Sequence, residues 1–245
     1  MQNKFQHLPS ILFGLGLCAT AAHGQQVRGV NPAEIDSRFD VIAKTIELDG
    51  SGRTNSLTLK YDYKLNSNWG LNFELPTYTR LSTPVLSATG NGDFFARARW
   101  IAPAGAWTYG ASAETVLPTA SKDALGTGRY QANVAGLAVY AASPSFILAG
   151  VVRQTSSVGG DTKRPSFSNT EVRLVPVVIL SQGWAVTGEL RQTWEHRGGN
   201  KTWQRAEIVA NKQFSAQWAS SLSYSRDFGD RKDQGAFSLA LKHFF

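Results

Sequence analysis

The segments of this 245-residue chain that alternate apolar and polar residues are joined by two kinds of connection in strict rotation. Residues 66–68 (Asn-Ser-Asn), 103–105 (Pro-Ala-Gly), 143–144 (Ser-Pro), 181–182 (Ser-Gln) and 213–216 are tight. Residues 80–91, 118–128, 156–168, 195–201 and 228–233 are longer and more polar, and 49–53 is the shortest of that set. A chain that alternates short and long turns runs up and down, with every short turn at one end. A soluble sandwich or lipocalin-like barrel has no reason to keep that parity. The segments fall at 40–48, 54–64, 69–80, 92–102, 106–117, 129–142, 145–155, 169–180, 183–194, 202–212, 217–227 and 234–245. This pattern predicts an all-β fold, a transmembrane up-and-down antiparallel β-barrel of about twelve strands with a polar lumen, ten strands being the alternative.

The last segment is the most fully written. Phe237, Leu239, Leu241, His243 and Phe245 share one side, and Ala236, Ser238, Ala240, Lys242 and Phe244 the other. It resembles the C-terminal strand of bacterial outer-membrane barrels, whose assembly machinery reads a terminal Phe, so Phe245 is the expected contact with that partner. Trp184, Val186, Leu190 and Trp194 share one parity, against Thr187, Glu189, Arg191 and Thr193. Trp107, Tyr109, Tyr130 and Tyr140 lie at segment ends. Such aromatics form the girdles at the two membrane interfaces. The expected location is the bacterial outer membrane, with lipid and lipopolysaccharide as surroundings.

The one long apolar stretch lies at the start. Lys4, the core 11–17, and Ala22 with Gly24 before Gln25 read as a secretory leader over residues 1–24, leaving 25–245 as the barrel domain. Cys18, the single cysteine, falls inside the leader, so disulfides, a catalytic thiol and thiolate metal sites are not expected. The formal charge of +7 becomes +6 without Lys4, and with no Lys/Arg run it does not point to nucleic acid. In the periplasmic N-terminal segment 25–39, Asn31-Pro32-Ala33-Glu34 has an N-cap, a Pro at the first position and a Glu behind it, which predicts a short helix.

With the apolar parity on lipid, the other parity lines the lumen. It carries Glu74, Asp93, Arg97, Arg99, Glu114, Arg153, Glu171, Arg173, Glu189, Arg191, Arg205 and Glu207, with Lys60, Asp62 and Lys242. An arginine or lysine at the bilayer midplane costs roughly 2–4 kcal/mol, so these side chains point inward. They form either a polar channel whose charged walls orient a small-molecule solute or a salt-bridged interior that closes the barrel. Arg97 and Arg99, same-sign neighbours on one face, are with Glu74 and Glu114 the leading selectivity residues; the alternative is that the two arginines pair with those glutamates on neighbouring strands.

Gly92-Asp93 ahead of alternating basic residues, then Leu117-Pro118-Thr119 and Leu125-Gly126-Thr127-Gly128, resemble the putative transporters of the MetA pathway of phenol degradation. The resemblance is firmest over residues 90–128, and Ala120 stands where many relatives have Gly. It implies an outer-membrane barrel passing small organic or aromatic compounds, and carries no catalytic or binding residue over. The residues alone predict loop geometry for these motifs, since Pro118 ends a strand and the glycines permit positive φ. The leading reading is therefore a channel for small organic, aromatic or anionic solutes, with no catalytic residue, cofactor or metal. The alternatives are a sealed structural or adhesion barrel and an outer-membrane lipid-modifying enzyme. The enzyme would need His196 or His243 beside a Ser and a carboxylate. Asp227, Asp230 and Asp233 lack calcium-loop spacing and read as a solvated external loop.

Overall fold

The computed structural model describes residues 27–48, 51–197, 199–231 and 235–245. The expected leader at 1–24, with Gln25 and Gln26, lies outside them. Thirteen strands form one antiparallel sheet: β1 (Arg38–Leu48), β2 (Gly52–Lys64), β3 (Trp69–Ser82), β4 (Ser87–Gly90), β5 (Phe94–Ala104), β6 (Trp107–Leu117), β7 (Arg129–Ser143), β8 (Phe146–Gly160), β9 (Ser168–Ile179), β10 (Trp184–Arg197), β11 (Thr202–Gln213), β12 (Trp218–Gly229) and β13 (Gly235–Phe244). β4 is a four-residue stub, so twelve staves remain. β13 pairs with β1 from Arg38↔Phe244 to Ile46↔Ala236, which closes the barrel and leaves no open edge in lipid.

The expected loop at 80–91 is instead largely strand. β3 runs on to Ser82 and β4 returns beside it, around a tight turn in which Thr83 N donates to Leu86 O at 2.8 Å. β4 continues the ladder of β5, because Thr79↔Gly90 and Glu74↔Phe95 share one register. The break between them has a local cause. Pro76 offers no N–H to the ladder, and its carbonyl instead accepts from Gly92 N at 2.9 Å.

Outward positions are apolar throughout the belt. Leu57, Phe73, Val134, Leu174, Leu190, Ile208, Leu222 and Leu239 are exposed to the bilayer side. Trp69, Trp100, Trp107, Trp184 and Trp218 ring the short-turn end, whereas Trp194, Tyr130 and Phe228 stand toward the long-loop end. His243 lies outward in the lower ring, its imidazole 4.5 Å from Trp218 and 4.9 Å from Phe245. The fold is that of an outer-membrane barrel, short turns to the periplasm and loops outside.

The predicted helix at 31–34 is a single turn. Glu34 N donates to Asn31 O at 3.1 Å and Ala33 N to Asn31 Oδ1 at 2.9 Å, but the chain then extends through residues 34–37 into β1. Arg99 Nη2 donates to Glu34 O at 2.5 Å and Arg99 Nη1 to Pro32 O at 3.3 Å, so a barrel side chain takes carbonyls that a helix would have used.

Candidate functional site: a charged lumen and its periplasmic plug

Two environments share the inward face. Toward the periplasm, β7 to β10 point Val139, Ile147, Ala149, Val177 and Ala185 inward, and the N-terminal segment lays Val27 and Val30 on them, with Ala33 at the margin. Val27 is 1% exposed and Val177 is 0%. Ile35 seats against β3, where Gly70 leaves it room: a Cβ there would lie 2.6 Å from Ile35 Cγ2.

Polar contacts pin the same segment. Arg28 pairs with Asp36 at 3.1 Å, and Arg28 Nη1 donates to Ala216 O at 3.2 Å. The Arg28 guanidinium also lies 4.5 Å from the Phe244 ring centre. At Gly29 the backbone turns through φ 72°, and its carbonyl accepts from Arg38 Nη1 at 3.3 Å. The segment is thus a plug in the periplasmic mouth. On its β2, β3 and β5 side a polar crevice of about 130 Å³ remains, lined by Asp62, Asn72, Arg97 and Arg99.

Above the plug lies a cavity of about 580 Å³ with Pro32 at its floor. Its wall includes Lys44, Glu74, Arg97, Arg99, Glu114, Arg153, Arg173, Arg191, Arg205 and Glu207. Arg97 and Arg99 line both spaces, so they stand where crevice and cavity meet.

The charges are laced across strands. Glu114 on β6 pairs with Arg153 on β8 at 2.6 Å and with Arg97 on β5 at 3.9 Å. Glu171 bonds Arg173 on its own strand and lies 3.9 Å from both Arg153 and Arg191. Glu189 bonds Arg191 at 2.5 Å and Arg173 at 3.8 Å. Register adds what single strands could not show: Arg173↔Arg191↔Arg205 are direct cross-strand partners, and Glu189↔Glu207 another pair. Like charges directly opposite repel. The i, i+2 glutamates of β9 and β10 offset that in the arginine row, and Asp227 on β12 does so for Arg205, at 2.5 and 2.9 Å.

The expected pairings need revision at several residues. Glu74 pairs with Lys60 at 3.7 Å and not with the arginines of β5. Arg99 spends its donors on the plug carbonyls, while Arg97 is the one that reaches Glu114. Asp93 departs furthest from the lumen role. Its carboxylate accepts from Ala120 N at 3.1 Å, Thr127 N at 2.7 Å and Thr127 Oγ1 at 3.1 Å. Thr119 Oγ1 accepts in turn from Phe94 N at 2.9 Å, so the three short motifs at 92–93, 117–119 and 125–128 meet as one external loop joint.

Asp227, expected in a solvated loop, is 1% exposed because it sits at an inward position of β12. Asp230 caps Thr202 N at 2.7 Å, and Asp233 lies outside the described residues. Lys44 and Asp227 are lumen charges outside the expected set. Their strand parity, shared with Asp40 and Ser225, was the available signal. His196 lies on β10 with Nε2 2.7 Å from Thr170 Oγ1, which also lies 2.6 Å from Gln154 Oε1.

No protein-family model matches the chain, and no curated protein does. Solved structures do. A COG4313 outer membrane channel from Pseudomonas putida F1 superposes with TM-score 0.66 at 16% identity, over 90% of this chain and 100% of that one. The KdgM porin follows with 0.59 at 7% identity, over 85% and 99%. The translocator domain of the autotransporter NalP from Neisseria meningitidis gives 0.55 at 12% identity, over 89% and 91%. At these identities the likeness is one of fold: a twelve-stave outer-membrane barrel.

Proposed function

We propose that this barrel is a channel for passive passage of small anionic organic solutes, with its periplasmic exit narrowed by the N-terminal plug. One observation carries the reading: in the arginine pairs made by Glu114 and Asp227 the arginine is the more exposed partner. The Glu114 side chain is 6% exposed against 30% for Arg97 and 21% for Arg153, and Asp227 is 0% against 23% for Arg205. These two acids are set back and guanidinium edges face the space, whereas Glu189 is as exposed as its arginines and Glu74, at 34%, is more exposed than Lys60. A guanidinium fork matches a carboxylate, phosphate or sulfonate, and stacks on aromatic rings, which suits small aromatic acids. Phe95, beside Arg97 at 5.9 Å, adds an aromatic surface to the same wall. The motif resemblance at 92–93, 117–119 and 125–128 points the same way, toward small organic or aromatic compounds. The route runs from the loops through the arginine row to Arg97 and Arg99 and out along the crevice.

A sealed barrel acting through its external loops is the second reading, favoured by the plug and by the density of the ion pairs. Planar-bilayer recording of the refolded mature chain separates the two. The channel reading expects small steady conductance with an anion-selective reversal potential in a salt gradient. Cation selectivity rejects the anionic-solute reading, and silence both from the whole chain and from one lacking the plug rejects the channel in favour of the sealed barrel.

A further inference from the structure

The outer wall changes character abruptly near the external ends of β1 to β4. The outward row Leu222, Leu239, Ala43, Leu57 and Tyr78 is apolar. The next outward positions on β1, β2 and β3 are Thr45, Asn55 and Arg80, followed by Glu47, Arg53 and Ser82. Asn55 pairs with Arg80 and Arg53 with Ser82, so the two arginines are diagonal neighbours on one face. Both are exposed, and no ion pair or hydrogen bond satisfies either guanidinium among the described residues. Together with Glu47 and Asn55 they line a recess of about 630 Å³. Glu47 stands opposite Arg53 in the ladder but does not come within 4.0 Å of it.

We propose that this recess binds the phosphorylated headgroup of an outer-leaflet lipopolysaccharide, with Arg53 and Arg80 on phosphate and Asn55 as a further donor. Three points select that ligand. Arg80 lies two residues beyond Tyr78, at the border of the hydrocarbon, where an arginine without a counter-ion is costly. Two neighbouring cations on the lipid side call for a ligand with at least one full negative charge, and guanidinium forks suit phosphate. The apolar row directly beneath favours an anion that carries acyl chains over a soluble one.

The opposite wall is different at the same height. There Gln154 bonds Thr170 at 2.6 Å and Gln192 bonds Gln204 at 2.8 Å, so its outward polar groups are uncharged and satisfy one another. The basic recess is therefore a local feature and not a property of the whole rim. It lies outside the lumen, so it stands or falls apart from the channel reading.

Native mass spectrometry of the folded full-length mature chain, with bisphosphorylated lipid A and its phosphate-free counterpart as probes, tests this. Retention should favour the phosphorylated probe by about tenfold or more. The double variant Arg53→Gln, Arg80→Gln should lose that preference, while Lys163→Gln in the external loop should keep it. Equal retention of both probes by the unaltered chain overturns the proposal without needing any variant. So does displacement of the lipid by millimolar inorganic phosphate, which would make the recess a soluble-anion site.

Discussion

β9 carries both characters of the lumen on one face: Arg173 lines the cavity with Glu171 paired beside it, and Val175 and Val177 on the same parity pack toward the plug. β10 repeats the contrast, with Arg191 and Glu189 above Ala185. The two levels are held by different physics. The apolar level is stable only when covered, and burying a valine contributes at most roughly 1.5–3 kcal/mol, which Val27 and Val30 draw from the socket. In the charged level desolvation nearly cancels the Coulomb gain, so a well-packed apolar interior would stabilise the barrel as well or better. Its retention is more readily explained by passage than by stability. The plug, moreover, joins the barrel through side chains and no stave-to-stave ladder, so it can leave without unzipping β1 from β13.

Removing the plug tests that division most severely. A chain starting at Ser37 should still fold and should conduct roughly an order of magnitude more than one starting at Gln25, because the crevice then ceases to limit flow. Unchanged conductance would place the constriction in the charged level and break the contrast drawn here.

Next in size is the triple change Arg173→Gln, Arg191→Gln, Arg205→Gln. It leaves Glu189 and Asp227 without their arginine partners and Glu171 with Arg153 alone, so the reversal potential should swing from anion to cation selectivity. Breaking a partly buried pair costs up to about 3–5 kcal/mol, so refolding yield in detergent should also fall. A preserved anion preference would remove the arginine row from the selectivity role.

Arg99→Gln should act chiefly through the plug, although Arg99 also lines the cavity. It deletes two charge-assisted bonds to the carbonyls of Pro32 and Glu34, about 1.5–3 kcal/mol in all, enough to shift the seating equilibrium by about ten- to a hundredfold. Brief openings to the level of the plug-free chain are the expected signature in single-channel records. Asp93→Ala comes last. Losing the cap on Ala120 and Thr127 should make residues 118–128 more sensitive to externally added protease while conductance changes by less than about twofold. A conductance change as large as that of the triple variant would return Asp93 to the lumen.

The barrel was readable in the chain because lipid imposes a period. With no water to satisfy strand edges, every stave must pair, and side chains must alternate between hydrocarbon and lumen. The segment at 106–117 emerges as Trp107–Leu117, and that at 202–212 as Thr202–Gln213. Which inward charge meets which was not readable, because register depends on shear between strands. Glu114 reaches Arg153 across an intervening stave, and Arg173 faces Arg191, not an acid. Two departures had local causes that only the folded chain brings together. The expected loop at 80–91 becomes a hairpin closed by the Thr83–Leu86 turn and broken from β5 at Pro76 and Gly92, and Arg99 takes the carbonyls that a helix at 31–34 would need.

The plug left one trace in the sequence. At residues 174–180, LVPVVIL, the alternation lapses and both faces are apolar, as a strand covered on both sides requires. The sequence by itself determined the fold class, the stave positions and which parity faces lipid, since those follow from local period and the solvent on each side. Only the tertiary structure decided that the lapse is covered by Val27 and Val30, that the arginines form a row, and that Arg53 and Arg80 share a recess on the outer wall. Those outcomes depend on barrel closure and stagger, which bring together residues as far apart in sequence as Arg38 and Phe244 and which no local pattern encodes.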